Sequence, residues 1–208
     1  MSKMRIAALL ALGVLISACN VLPERTPVDL FQLPAASLSP ASGATGSIAG
    51  GLRLMTPDSS DALNGAHLLN LQNNTFQAWP GARWAAPIPQ LWRDWLLDAF
   101  WRDSRFQALS TDSTVLQSQL TLSGMLRALH TETVDGRPTA VIRFDAQLVD
   151  SARRTIIASQ RFESVAAVGS NTLEAAVAAL GVAADQLARE LIDWAARESQ
   201  PRDAAQRP

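Results

Sequence analysis

The sequence predicts an α+β fold, a mostly antiparallel sheet with two amphipathic helices packed on one face. Three observations predict it. Apolar residues recur at helical spacing in two stretches, 87–104 and 172–197. Elsewhere apolar and polar residues alternate with period two, over 48–55, 116–127, 140–149 and 155–165. The dipeptides Asn73-Asn74 and Asp135-Gly136 supply hairpin turns between such stretches. With 208 residues, 48% hydrophobic and 18% charged, the chain is long and apolar enough for one well-buried domain.

The N-terminus reads as an address. Lys3 and Arg5 form a short positive region, and Ile6 to Ile16 is an apolar run too short to span a bilayer. Leu15-Ile16-Ser17-Ala18-Cys19 then resembles a bacterial lipobox. Small residues before the cysteine suit a peptidase cleft, and the thiol carries the lipid. Residues 1–18 are therefore expected to be a lipoprotein signal peptide, with Cys19 the acylated first residue of the mature chain. Two or more acyl chains anchor stably. Asn20, rather than Asp, follows the cysteine, which points to the outer membrane, facing the periplasm.

Residues 19–47 read as a lipidated N-terminus and a flexible or extended segment. Pro27 and Pro34 bound a short apolar piece around Phe31 that reads as an edge strand or extended segment, and 35–47 is mostly Ala, Ser, Gly and Pro, a linker by composition. The α+β domain is expected over 48–197. Its first strand is 48–55, followed by a loop at 57–64 and a hairpin with arms 68–72 and 75–79. In the first helix Pro87 or Pro89 suits the first turn. Ile88, Leu91, Trp92, Trp95, Ala99 and Phe100 share one face, while Leu96, Leu97 and Trp101 widen it. Arg93, Asp94, Asp98 and Arg102 read as a solvated face. Three strands form a meander, the last with Ile156, Ala158 and Phe162 on one side. Asn171 is the expected N-cap of the second helix, with Glu174 three residues on as in a capping box. Its stripe runs from Leu173 to Trp194. Residues 198–208 read as a disordered tail.

Composition excludes several functions. The formal net charge of −1 gives no footprint for nucleic acid. One Cys and two His leave no disulfide and little scope for a metal site. No phosphate-binding loop, H-E-x-x-H or G-x-S-x-G is present, so neither an enzyme nor a cofactor is expected. The aromatic pattern is more informative. There is no Tyr, yet five of six Trp fall between residues 79 and 101. That exceeds what one helix face can bury, so at least one indole is expected on a groove or contact surface. The interface candidates are Trp79, Arg83, Trp84, Trp92 and Trp101.

Four pieces in order carry a family resemblance. They are the lipobox; Phe31-Gln32-Leu33-Pro34; Ala82-Arg83-Trp84-Ala85 leading through Pro87 and Pro89 to Leu91 and Leu96; and Ala158-Ser159-Gln160-Arg161-Phe162 before an Ala-rich helix ending at Trp194. Together they resemble the ABC-type transport auxiliary lipoproteins, the PqiC/YmbA-like group. The resemblance implies a non-catalytic outer-membrane lipoprotein that docks a periplasm-spanning mammalian-cell-entry (MCE) protein. An ABC permease and ATPase, phospholipid as cargo and a homo-oligomeric ring around the tunnel belong to the same implication. The alternatives are a periplasmic lipid-binding carrier and a structural envelope-assembly lipoprotein.

Overall fold

The computed structural model describes residues 27–40, 48–114 and 116–200. The expected signal peptide, Cys19, Asn20, residues 41–47 of the expected linker and residues 201–208 of the expected tail lie outside the described residues. In chain order the elements are β1 (Asp29–Phe31), β2 (Ile48–Leu54), β3 (Asp58–Ser59), β4 (His67–Gln72), β5 (Thr75–Trp84), α1 (Ile88–Asp103), β6 (Phe106–Thr111), β7 (Leu120–Val134), β8 (Arg137–Asp150), β9 (Thr155–Ala167) and α2 (Leu173–Glu198). A 3₁₀ turn at Asp61–Leu63 and the β3 bridge occupy the stretch expected as loop.

The α+β class holds, with a sheet that is partly parallel. Strand β7 is its spine. Along one edge it pairs antiparallel with β8, which pairs antiparallel with β9. Along the other edge β2, β3 and β4 follow one another, each parallel to β7. Strand β6 joins β2 in parallel, β5 joins β4 antiparallel, and β1 joins β5 in parallel. Antiparallel pairs arise only where a tight turn reverses the chain. In the first two turns both central residues have positive φ: Asn73 (49°) and Asn74 (61°), then Asp135 (50°) and Gly136 (75°). This is the backbone that two-residue hairpins need.

Both helices cover one face. Leu126, Phe144 and Phe162 are buried neighbours across three strands. Trp92 of α1 meets Phe144 edge-on at 6.3 Å, and Trp194 of α2 meets Phe162 at 5.6 Å. Helix α2 is capped by Thr172, whose hydroxyl accepts from the Ala175 N–H at 3.3 Å. Thr172 thus takes the place expected for Asn171, because the chain is still non-helical at Thr172. Ile156 also departs from expectation. A register shift in β9 leaves it opposite Val149, on the outer face and 57% exposed, while Ala158 and Phe162 point inward.

Residues 33–40 are a strap, not a linker. Leu33, Ala36 and Leu38 are buried in the core. The Trp95 indole donates to the Pro34 carbonyl at 2.7 Å, and the Ser37 amide donates to Asp185 at 2.9 Å. A Cβ on Gly181 would stand 2.6 Å from Pro34 Cγ, so this mid-helix glycine is where the strap crosses α2. Arg93 is likewise more than a solvated charge. It donates to Thr56 at 2.8 Å and to Asp112 at 2.6 Å, tying α1 to the ends of β2 and β6.

The outer face carries a charge ladder, in which Asp145 accepts from both Arg127 and Arg161 and Glu163 accepts from Arg143. Arg161 first, then Arg127, holds the Asp145 carboxyl down at about 2. A depressed folded pKa stabilises the fold above the unfolded value, near 3.9. That contribution is lost as pH falls through about 2. Acid unfolding of Asp145→Asn should therefore show a shallower loss between about pH 4 and pH 2. An unchanged pH profile would refute the ladder's contribution.

Candidate functional site

The helix-covered face is apolar for most of its length, then changes character. Along β7 the inward side chains run Leu122, Leu126, Leu129, then Thr131 and Thr133. Along β4 they run Leu68, then Asn70 and Gln72, with Gln77 of β5 opposite Asn70. The change falls where α2 begins at Leu173 and no longer covers the sheet. The result is a cleft of about 480 Å³ between the end of the sheet, Trp79 of β5 and the first turn of α2.

The sheet sets the geometry of this cleft. Strand β5 bulges between Ala78 and Arg83, with Gly81 at φ 68°. The bulge lets one strand serve two purposes. Trp79 stays half-buried on the cleft wall, and Trp84 turns into the core. The Thr131 hydroxyl donates to Asn70 Oδ1 at 3.1 Å, fixing that amide on the floor. The Val168 amide donates to the Pro138 carbonyl at 3.0 Å and closes the side nearest β8.

The structure separates the candidate residues. Trp84 and Trp92 are interior, at 2% and 0% exposure, so they present no contact surface. Among the described residues their Nε1 groups have no hydrogen-bond partner. Arg83 is exposed, in register between Leu30 of β1 and His67 of β4. Trp101 is 54% exposed at the end of α1, beside the Asp98–Arg102 ion pair. Only Trp79 joins the cleft. The cleft's other polar residues carried a signal in the sequence, Leu giving way to amide and hydroxyl. The register shift between Leu126 and Ala128 hides it by reversing the strand's parity.

Of the two histidines, His67 is exposed and His130 is buried on the outer face. The His130 ring meets Phe76 edge-on at 5.2 Å, and burial pushes its pKa below the ordinary value. Among the described residues no cluster of three or more His, Cys, Asp and Glu could hold a metal.

The fold is shared with solved proteins. Protein XCC0632 from Xanthomonas campestris, a DUF330 member, superposes with a TM-score of 0.74. It is 20% identical, with 83% of this chain and 97% of that one covered. An uncharacterized protein superposes at 0.60 with 19% identity, over 84% of this chain and 99% of its own. No curated protein matches the chain. Residues 31–192 match the family described as the ABC-type transport auxiliary lipoprotein component, and the chain belongs to that family.

Proposed function

We propose that this chain is the non-catalytic, lipid-anchored docking subunit of an MCE-type intermembrane lipid transport system. It is held at the outer membrane by acylated Cys19, faces the periplasm and receives the tip of a periplasm-spanning MCE protein. The family match over residues 31–192 carries this reading. The lipobox ending at Cys19 supports it from outside the matched segment. The family's ABC partners would supply the energy, since the sequence holds no phosphate-binding loop.

Trp101 is the first candidate for the partner surface. An exposed indole next to an arginine offers a large apolar face with a hydrogen-bonding edge, the composition typical of interface anchors. Arg83 is the second. A photo-crosslinker at position 101 of the full chain, activated in intact envelopes, should capture an MCE-domain protein, and Trp101→Ala should reduce co-purification of that partner. Capture of an outer-membrane barrel alone would transfer the proposal to envelope assembly. Phospholipid retained one-to-one in native mass spectrometry would favour a carrier.

A further inference from the structure

We propose that the cleft at the N-terminus of α2 binds uncharged sugar units. Among the described residues fourteen line it, and none of these carries a charge. In a chain with 37 acidic and basic side chains, this partly enclosed space is thus lined by neutral groups. Removing an ion from water into such a space, with no countercharge, is unfavourable. This weighs against phosphate headgroups, nucleotides and ammonium groups alike. Exposed Glu174, in the first turn of α2, further opposes an anion at the helix end.

The polar groups that remain suit hydroxyls. A sugar hydroxyl both donates and accepts, and so do amide and hydroxyl side chains. Gln72, Gln77, Thr133 and Asn171 line the cleft with no side-chain hydrogen bond among the described residues. Asn70 has its oxygen engaged by Thr131, leaving its NH₂ group to donate. Trp79, half-buried and on the wall, supplies the flat apolar face on which the C–H side of a pyranose ring stacks. A peptide strand fits the floor less well, because the backbone of β4 and β7 there is already paired on both sides. Among the described strands that line the cleft, β5 alone keeps an unpaired edge, since β1 pairs it only at 82–84, and Pro80 has no N–H to donate along it.

The neutral sugar could come from a free glycan chain or a glycolipid headgroup, and the test separates the two. The full acylated chain, in a zwitterionic detergent without a sugar head, is titrated with chitotetraose and maltotetraose by calorimetry. In a second arm it is mixed with vesicles containing a digalactosyl lipid, against phosphatidylethanolamine–phosphatidylglycerol vesicles. Binding in the first arm assigns glycan chains. Binding in the second arm alone assigns a headgroup. Trp79→Ala should weaken either by about tenfold. Gln72→Ala, an exposed residue without partners, should weaken it severalfold and cannot act by unfolding the domain. Trp101→Ala should leave it unchanged. No saccharide binding in either arm, binding indifferent to Trp79→Ala and Gln72→Ala, or preferential binding of inorganic phosphate would each overturn the proposal.

Discussion

Trp92→Ala is expected to destabilise the domain by about 3–5 kcal/mol, the range for deleting a large buried aromatic side chain. Trp92 is 0% exposed and sits at the junction of the two layers. It stacks on Trp95 at 5.6 Å with the planes 7° apart, and it meets Phe144 of β8 edge-on. Removing it opens a cavity that α1 cannot close, because α1 is held elsewhere. Trp95 is tied to the strap through Pro34, and Arg93 to Thr56 and Asp112. Domains of this size have about 5–15 kcal/mol in all, so the variant should be only marginally folded. Trp92→Phe should lose less than half as much. It keeps most of the ring contact and deletes an indole N–H that has no partner in the interior. Urea unfolding of the three proteins, with slopes compared as well as midpoints, measures this. A loss below about 1 kcal/mol for Trp92→Ala would mean that the packing is not what joins helix to sheet.

The helices and hairpins were readable because each announces itself locally. Helix α1 spans 88–103 against an expected 87–104, and α2 spans 173–198 against 172–197. Asn73-Asn74 and Asp135-Gly136 set their turns through positive φ, a property of those residues and not of the fold. Pairing across the sheet was not local in this sense. Strands β2, β3 and β4 line up along β7 through contacts that no turn residue encodes. Strand β6 escaped notice because its segment, Phe106 to Thr111, is short and follows directly on α1.

The candidate site was legible in part, for the same reason. Counting indoles implied that at least one lies on a groove or contact surface, and Trp101 is 54% exposed, but the count could not say which. Trp79 and Trp84 are five residues apart on one strand, so simple alternation would set them on opposite faces; the bulge between them brings both to the helix-covered face, one at the cleft and the other in the core. The strap shows the opposite failure. Residues 35–40 read as linker because Ala, Ser and Pro dominate them, yet Leu33 and Leu38 anchor the strap in the core, and Gly181 of α2 leaves room for Pro34 to cross. Composition hides this, because the packing is decided by two leucines and by one glycine on a distant helix.

The largest effect on location is expected from Cys19. Under the proposed reading its acyl chains hold the protein on the membrane. Each buried CH₂ contributes about 0.8 kcal/mol, so one chain binds marginally and two or more bind durably. The rest of the mature body gives little help. On the same reading Lys3 and Arg5 would leave with the signal peptide, the remainder would be slightly acidic, and the sequence offers no polybasic run to attract anionic lipid. Among the described residues, no helix is long and apolar enough to cross a membrane. Cys19→Ala would also remove the lipoprotein cleavage site, so the variant needs an ordinary secretory leader cut before residue 19. Made that way, the protein should move entirely from the membrane pellet to the soluble periplasmic fraction. Intact-mass measurement should show the loss of the acyl groups. It should stay folded, because the domain begins at β1, ten residues further on. The crosslink from position 101 should then fall sharply, since a docking subunit released from its membrane no longer meets its partner at a fixed place. A non-acylated variant that still pelleted with outer membrane after a high-salt wash, while monomeric, would show that another surface does the anchoring.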